Sequence, residues 1–182
     1  PNLGTLAKNN LDIDNGNNIY LSGKIINDSI DLDPGAGVYA DTGNSFVLKI
    51  DASANFIWGH GTSAPTSLVC VSKYGDLYVA GTPSGLATKS YLSKYDIAGT
   101  ALWVKILPDS IVQGQYFTGN VHALNEDTSG NIVMGGKNNS SRYFLYTTDS
   151  SGLLSWYKNA NGGTNTELSV KVNADNELLV AG

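Results

Sequence analysis

Asp31 and Asp33 stand two residues apart, directly ahead of Pro34 and Gly35. Carboxylates at that spacing can share a hard cation such as Ca²⁺ through oxygen ligands. The same pattern suits a turn whose aspartates accept backbone N–H groups. Both readings stay open on sequence alone. Asp12, Asp14, Gly16 and Asn17 have the outline of a calcium loop, but its twelfth position, which needs a glutamate, is Gly23. Beyond calcium at Asp31 and Asp33, no cofactor is expected. The two histidines, His60 and His122, have no neighbouring Cys, His or carboxylate cluster in sequence, so zinc is not expected. Neither a Gly-x-Ser-x-Gly elbow nor a phosphate-cradling glycine loop is present. No catalytic residue is therefore assigned, and the chain is read as a non-enzyme. The single cysteine, Cys70, lies in the apolar run Leu68-Val69-Cys70-Val71, which predicts a buried thiol rather than a nucleophile.

Composition narrows the partners. The 182 residues are 41% hydrophobic and 15% charged, with a net charge of −5 and no Lys/Arg cluster. Phosphate backbones need concentrated positive charge, so nucleic acid is excluded as a partner. No apolar run reaches the roughly 18 residues of a spanning helix, so membrane insertion is not expected.

The elements that position these residues follow from an internal repeat. Ile19-Tyr20-Leu21-Ser22-Gly23 recurs as Leu77 to Gly81, as Ile132 to Gly136 and as Leu178 to Gly182. The closing glycines step by 58, 55 and 46 residues. Between them lies a second phrase, Phe46 to Asp51, then a turn, then Trp58. It returns at Tyr91 to Asp96 with Trp103, and at Tyr143 to Asp149 with Trp156. Asp precedes Trp by seven residues all three times. Each phrase has hairpin chemistry, with apolar and β-branched residues around Gly, Asn, Asp or Ser. Two hairpins per unit give four strands in about 53 residues, and no helical periodicity competes.

An all-β fold follows: a β-propeller of four-stranded antiparallel blades, with three complete repeats and the start of a fourth. The blades run approximately over 9–60, 67–105, 122–158 and 168–182, within one partial domain, 1–182. The chain starts and stops inside repeats, so it reads as part of a larger ring whose remainder is its first partner. Trp58, Trp103 and Trp156, with Tyr20 and Tyr78 one strand away, are expected to pack between blades. Asp14, Ser72, Asp127 and Asn173 share one repeat position, read as a polar turn cap.

These phrases resemble the bacterial seven-bladed β-propeller repeat family, whose units read approximately Asp-x-x-Gly-Asn-x-Tyr-x-x-Gly, Asp-Phe-Asp-Pro-Gly and Phe-x-x-Lys-x-Asp-x-x-Gly-Asn-x-x-Trp. The first repeat follows it closely, including Asp31-Leu32-Asp33-Pro34-Gly35 and Phe46-Val47-Leu48-Lys49-Ile50-Asp51. The second and third lack the Asp-x-Asp-Pro-Gly element. The resemblance implies a secreted or surface protein of Bacteroidetes type, and an extracellular location. It also implies O-glycosylation at Ser29 and Ser110, each in Asp-Ser-Ile. Quinoprotein-type propellers, which also end units in Gly-x-x-x-Trp, are a weaker likeness.

Binding residues are sought where blade loops converge. Asn9, Ser67, His122 and Leu168 lie fourteen residues before the closing glycines and open the innermost strands at one mouth. Two long loops, Lys24 to Asn44 and Lys105 to Val121, are the other candidates, the second through Tyr116 and Phe117. The function expected is a binding or assembly scaffold for a protein or glycan. The alternatives are a cofactor-binding or catalytic propeller, such as a quinoprotein-like oxidoreductase or a lyase, and a structural spacer.

Overall fold

A computed structural model describes residues 11–26, 29–63, 66–82, 90–107, 119–138, 142–160 and 168–181. The strands are β1 (Leu11–Ile13), β2 (Ile19–Lys24), β3 (Ser29–Asp31), β4 (Ala40–Thr42), β5 (Ser45–Ile50), β6 (Phe56–Thr62), β7 (Thr66–Val71) and β8 (Leu77–Gly81). They continue as β9 (Ser90–Tyr95), β10 (Ala101–Leu107), β11 (Gly119–Glu126), β12 (Ile132–Asn138), β13 (Tyr143–Thr148), β14 (Leu154–Ala160), β15 (Ser169–Val172) and β16 (Leu178–Ala181). No helix occurs among the described residues.

Three four-stranded antiparallel sheets form in chain order, β1-β2-β5-β6, β7-β8-β9-β10 and β11-β12-β13-β14, followed by the two-stranded β15-β16. The hairpin β3-β4 stands apart as an insertion in the first sheet.

One turn chemistry joins the first strand to the second and the third to the fourth wherever these turns are described. Asp14, Ser72, Asp127 and Asn173 open the turns between first and second strands, and Asp51, Asp96 and Asp149 those between third and fourth. In each, the opening side-chain oxygen accepts the backbone N–H groups two and four residues on. The residue three on has positive φ: Asn17, Ala54, Gly75, Gly99, Gly130, Gly152 and Asn176. This is the three-residue hairpin loop closed by a left-handed residue. After the outer turns, the register slips by one residue just before each tryptophan. The invariant seven-residue interval from Asp to Trp is this turn plus this bulge.

Side chains facing out of one sheet pack on the next. Tyr20, Val47 and Trp58 cluster with Val69, Leu77 and Val79 of the second sheet. Leu68, Cys70, Tyr78, Ala80 and Leu92 cluster with Leu124, Ile132, Met134, Phe144 and Tyr146 of the third. Ala123 and Val133 meet Leu168 and Val170. Cys70 is buried and its thiol is pushed up, first by burial, as expected of a packed cysteine.

The tryptophans depart from the expectation in one place. Trp58 is 8% exposed and Trp103 is partly buried, each edge-on to a tyrosine, Tyr20 and Tyr78, at 6.1 Å. Trp58 also donates its Nε1–H to the Ile97 carbonyl at 3.1 Å, in the outer turn of the next sheet. Trp156, expected to be buried alike, is 36% exposed. Among the described residues, no outer turn lies on it as the Ile97 turn lies on Trp58. Iodide should therefore quench Trp156 selectively. Trp156→Phe should remove most of the quenchable fluorescence and Trp58→Phe almost none; equal losses would contradict this packing.

Candidate functional site

The inner turns of the first two sheets and the end of β11 enclose a cleft of about 290 Å³. Asp12, Asp14, Asn15, Ser72, Lys73, Asn125 and Glu126 line it, together with Ile13, Cys70 and Val71. The turn chemistry above places Asp14, Asn15, Ser72 and Lys73. Strands β1 and β11 place Asp12, Asn125 and Glu126.

Most of these polar groups hold sheets together. Asp12 accepts the Val71 N–H at 2.7 Å, from first sheet to second. Glu126 accepts the Lys73 N–H at 2.7 Å, from third to second, while Lys73 Nζ donates to the Thr128 carbonyl at 2.7 Å. Asn125 donates to the Val170 carbonyl at 2.6 Å, from third to fourth. Asp14 accepts the Gly16 and Asn18 N–H groups and the Tyr20 hydroxyl. Burial opposes its charge, but hydrogen bonds from Asn18, Gly16 and Tyr20 outweigh burial and hold its carboxyl below the usual range. Glu126 goes the other way: burial raises its carboxyl, and Lys73 offsets that only in part. The cleft thus presents a rigid polar rim, open at Asn15 and Lys73.

This cleft lies at the opposite ends of the inner strands from the mouth favoured by sequence. At that other mouth, Ser67 and His122 occupy equivalent places. Each is the extra residue where the register slips, between Thr66 and Leu68 and between Val121 and Ala123. His122 has an interaction within the fold. Leu168, expected to face the mouth, is instead buried at 3% exposure against Ala123 and Val133. Its apolar side chain gains more from the gap between sheets than from solvent. Asn9, Tyr116, Phe117 and Ser110 lie outside the described residues. Ser29 opens β3 on an exposed edge.

Asp31 and Asp33 cap backbone. Asp31 accepts the Asp33 and Tyr39 N–H groups at 3.1 and 2.9 Å, and Asp33 accepts the Gly35 N–H at 2.7 Å. Among the described residues, no group of three or more His, Cys, Asp or Glu side chains is arranged to hold a metal. His60 stacks on Trp58, with ring centroids 5.5 Å apart.

Sequence reasoning missed the cleft. Its available signal was the eleventh position before each closing glycine, where Asp12, Cys70, Asn125 and Lys171 stand. Two of the four are short side chains able to bridge adjacent inner strands.

No family model and no curated protein matches the chain. Solved structures do. A protein of unknown function from Bacteroides caccae aligns with a TM-score of 0.51 at 10% identity, over 74% of this chain and 46% of that one. A luciferin-regenerating enzyme aligns with a TM-score of 0.53 at 13% identity, over 88% of this chain and 48% of that one. The chain thus spans slightly less than half of either structure. At such identities the likeness is one of fold: an all-β protein of antiparallel four-stranded sheets, β-propeller-like.

Proposed function

We propose that the three sheets and the two-stranded start of a fourth are blades of a larger β-propeller ring, used outside the cell or at its surface as a non-enzymatic binding or assembly module. The match to about half of each similar structure supports the larger ring. The observation that carries the binding reading is the state of the cleft carboxylates. Asp12, Asp14 and Glu126 each accept at least one backbone N–H at 2.9 Å or less, so they hold shape rather than stand ready to move protons. A rim prefixed in this way lowers the ordering cost of capturing a polar ligand such as a glycan or an extended peptide.

Titration of the protein with oligosaccharide and peptide panels, followed by backbone NMR shifts, tests the reading. A true ligand should move the Asn15, Ser72 and Lys73 amides. Asn15→Ala with Lys73→Ala should weaken it at least tenfold. Ligands that shift only residues elsewhere would overturn the assignment to this cleft.

One observation favours a catalytic reading: the Glu126 carboxyl is raised by burial and sits beside Lys73. Multiple-turnover product formation abolished by Glu126→Gln would establish it and displace the binding module.

A further inference from the structure

The side of each sheet that faces its predecessor carries a recurrent apolar set. In the second sheet it includes Val69, Leu77 and Val79, packed on Tyr20, Val47 and Trp58 of the first. In the third it includes Leu124, Ile132, Met134, Phe144 and Tyr146, packed on the second. The same positions of the first sheet are Leu11, Ile19, Leu21, Phe46, Leu48 and Ile50. Phe46, Leu48 and Ile50 are buried at 1%, 2% and 9% exposure, yet no described sheet precedes them.

The insertion between β2 and β5 covers them. Ile25, Ile30 and Leu32 join Phe46, Leu48 and Ile50 in one cluster. The β3-β4 hairpin, paired Ser29 with Thr42, Ile30 with Asp41 and Asp31 with Ala40, is bonded down along the outer strand β6. Asp41 accepts the Gly61 N–H at 2.8 Å, Asn44 donates to the Thr62 carbonyl at 2.9 Å, and Tyr39 lies over Phe56 with centroids 4.8 Å apart.

The outer strand is cut to receive it. A Cβ on Gly59 would come 2.9 Å from Leu32 Cδ1, and one on Gly61 would overlap the Thr42 carbonyl oxygen. The equivalent residues are Val104 and Ile106 in the second sheet, and Tyr157 and Asn159 in the third. Side chains are missing only where the hairpin lies. By contrast, Leu11 and Ile13 on the innermost strand stay 54% and 53% exposed, beyond its reach.

We infer that the 29–42 hairpin is a built-in cap. On the first sheet it takes the place that a preceding sheet takes on the second and third, and it seals all but the innermost strand. The insertion itself buries the outer strands of the first sheet on that side. A neighbour approaching from that side meets the hairpin, and reaches the sheet itself only at Leu11 and Ile13. Asp31 and Asp33 shape this cap, which gives the Asp-x-Asp-Pro-Gly element a role that the other two repeats do not need.

Hydrogen exchange on the intact protein tests this. The Leu32, Tyr39 and Gly61 amides should be protected together with β5, within tenfold of one another. Exchange of the Leu32 and Tyr39 amides at unprotected rates would overturn the cap, whatever any variant does. Gly61→Val should speed exchange of the hairpin amides at least a hundredfold and raise apolar-dye binding several-fold, with β11 to β13 unchanged. A variant with 26–43 replaced by a short Asn-Gly turn should bind the dye or self-associate. If that variant stays monomeric, dye-silent and equally heat-stable, the first sheet needs no cap and the inference fails.

Discussion

Gly99→Ala is expected to cost about 3 kcal/mol and Gly75→Ala about 1 kcal/mol, although the two glycines share nearly the same φ, +84° and +88°. Left-handed backbone alone costs an alanine roughly 1 kcal/mol. What separates the two sites is the neighbour. A Cβ at Gly99 would meet Trp58 Cδ2 at 2.7 Å and His60 Nε2 at 3.0 Å. The indole is pinned by its hydrogen bond to Ile97 and by Tyr20, so it cannot give way. A Cβ at Gly75 would meet only the Ile97 side-chain tip at 3.3 Å, which can move. Ala54 already occupies the corresponding position of the first sheet at φ 64°, exposed and with no indole over it. Thermal unfolding should fall by roughly 6–12 °C for Gly99→Ala and 2–4 °C for Gly75→Ala. Equal losses would show that backbone strain, not the indole, selects glycine.

Asp14→Ala should cost about 4 kcal/mol and Asp127→Ala about 1 kcal/mol. Both residues cap identical turns. Only Asp14 also faces a buried cation, Lys49 Nζ at 3.5 Å, whose side chain is 4% exposed. Lys49 lies over the Tyr20 ring at 4.8 Å, and stripping its counter-charge leaves an uncompensated ammonium inside the fold. In the third sheet the lysine's place is taken by Thr147, so Asp127 guards only its turn. Lys49→Met in the Asp14→Ala background should recover most of the loss. No recovery would mean that the turn, not the ion pair, carries the effect. The acid limb follows from the same group. The folded-state pKa of Asp14 lies below its ordinary 3.8, so its contribution is fully present above that value and fades as pH falls through the folded pKa. The gap between native and Asp14→Ala stabilities should be flat above about pH 5 and close below it.

The repeat itself was legible because each hairpin is local. Turn residue, left-handed residue and bulge all sit within eight positions, so Asp51 and Trp58 reveal the geometry without any distant contact. The tyrosine–tryptophan packing was legible for the same reason: both residues recur at fixed offsets. Trp156 carries the same strand signal as Trp58, but its burial depends on the neighbouring sheet, of which two strands are described. The hairpin 29–42 read as a long loop, since three-residue strands give too little alternation to register. The cleft escaped for a subtler reason. Asp12, Ser72, Lys73 and Glu126 come from three different repeats, and only the stacking of sheets brings them together.

The paired exchange of Tyr20 with Lys49, and of Tyr78 with Lys94, for Val133 with Thr147 has a consequence for how the protein assembles. Near-identical repeats invite mispairing, in which a hairpin from one unit closes on a partner from another. Here such an exchange would set a lysine beside valine with no ring beneath it, or a tyrosine beside threonine with no ammonium above it. The third unit's second and third strands are therefore mismatched to those of the first two, while the first and second units share one tyrosine–lysine pair and are not told apart by it.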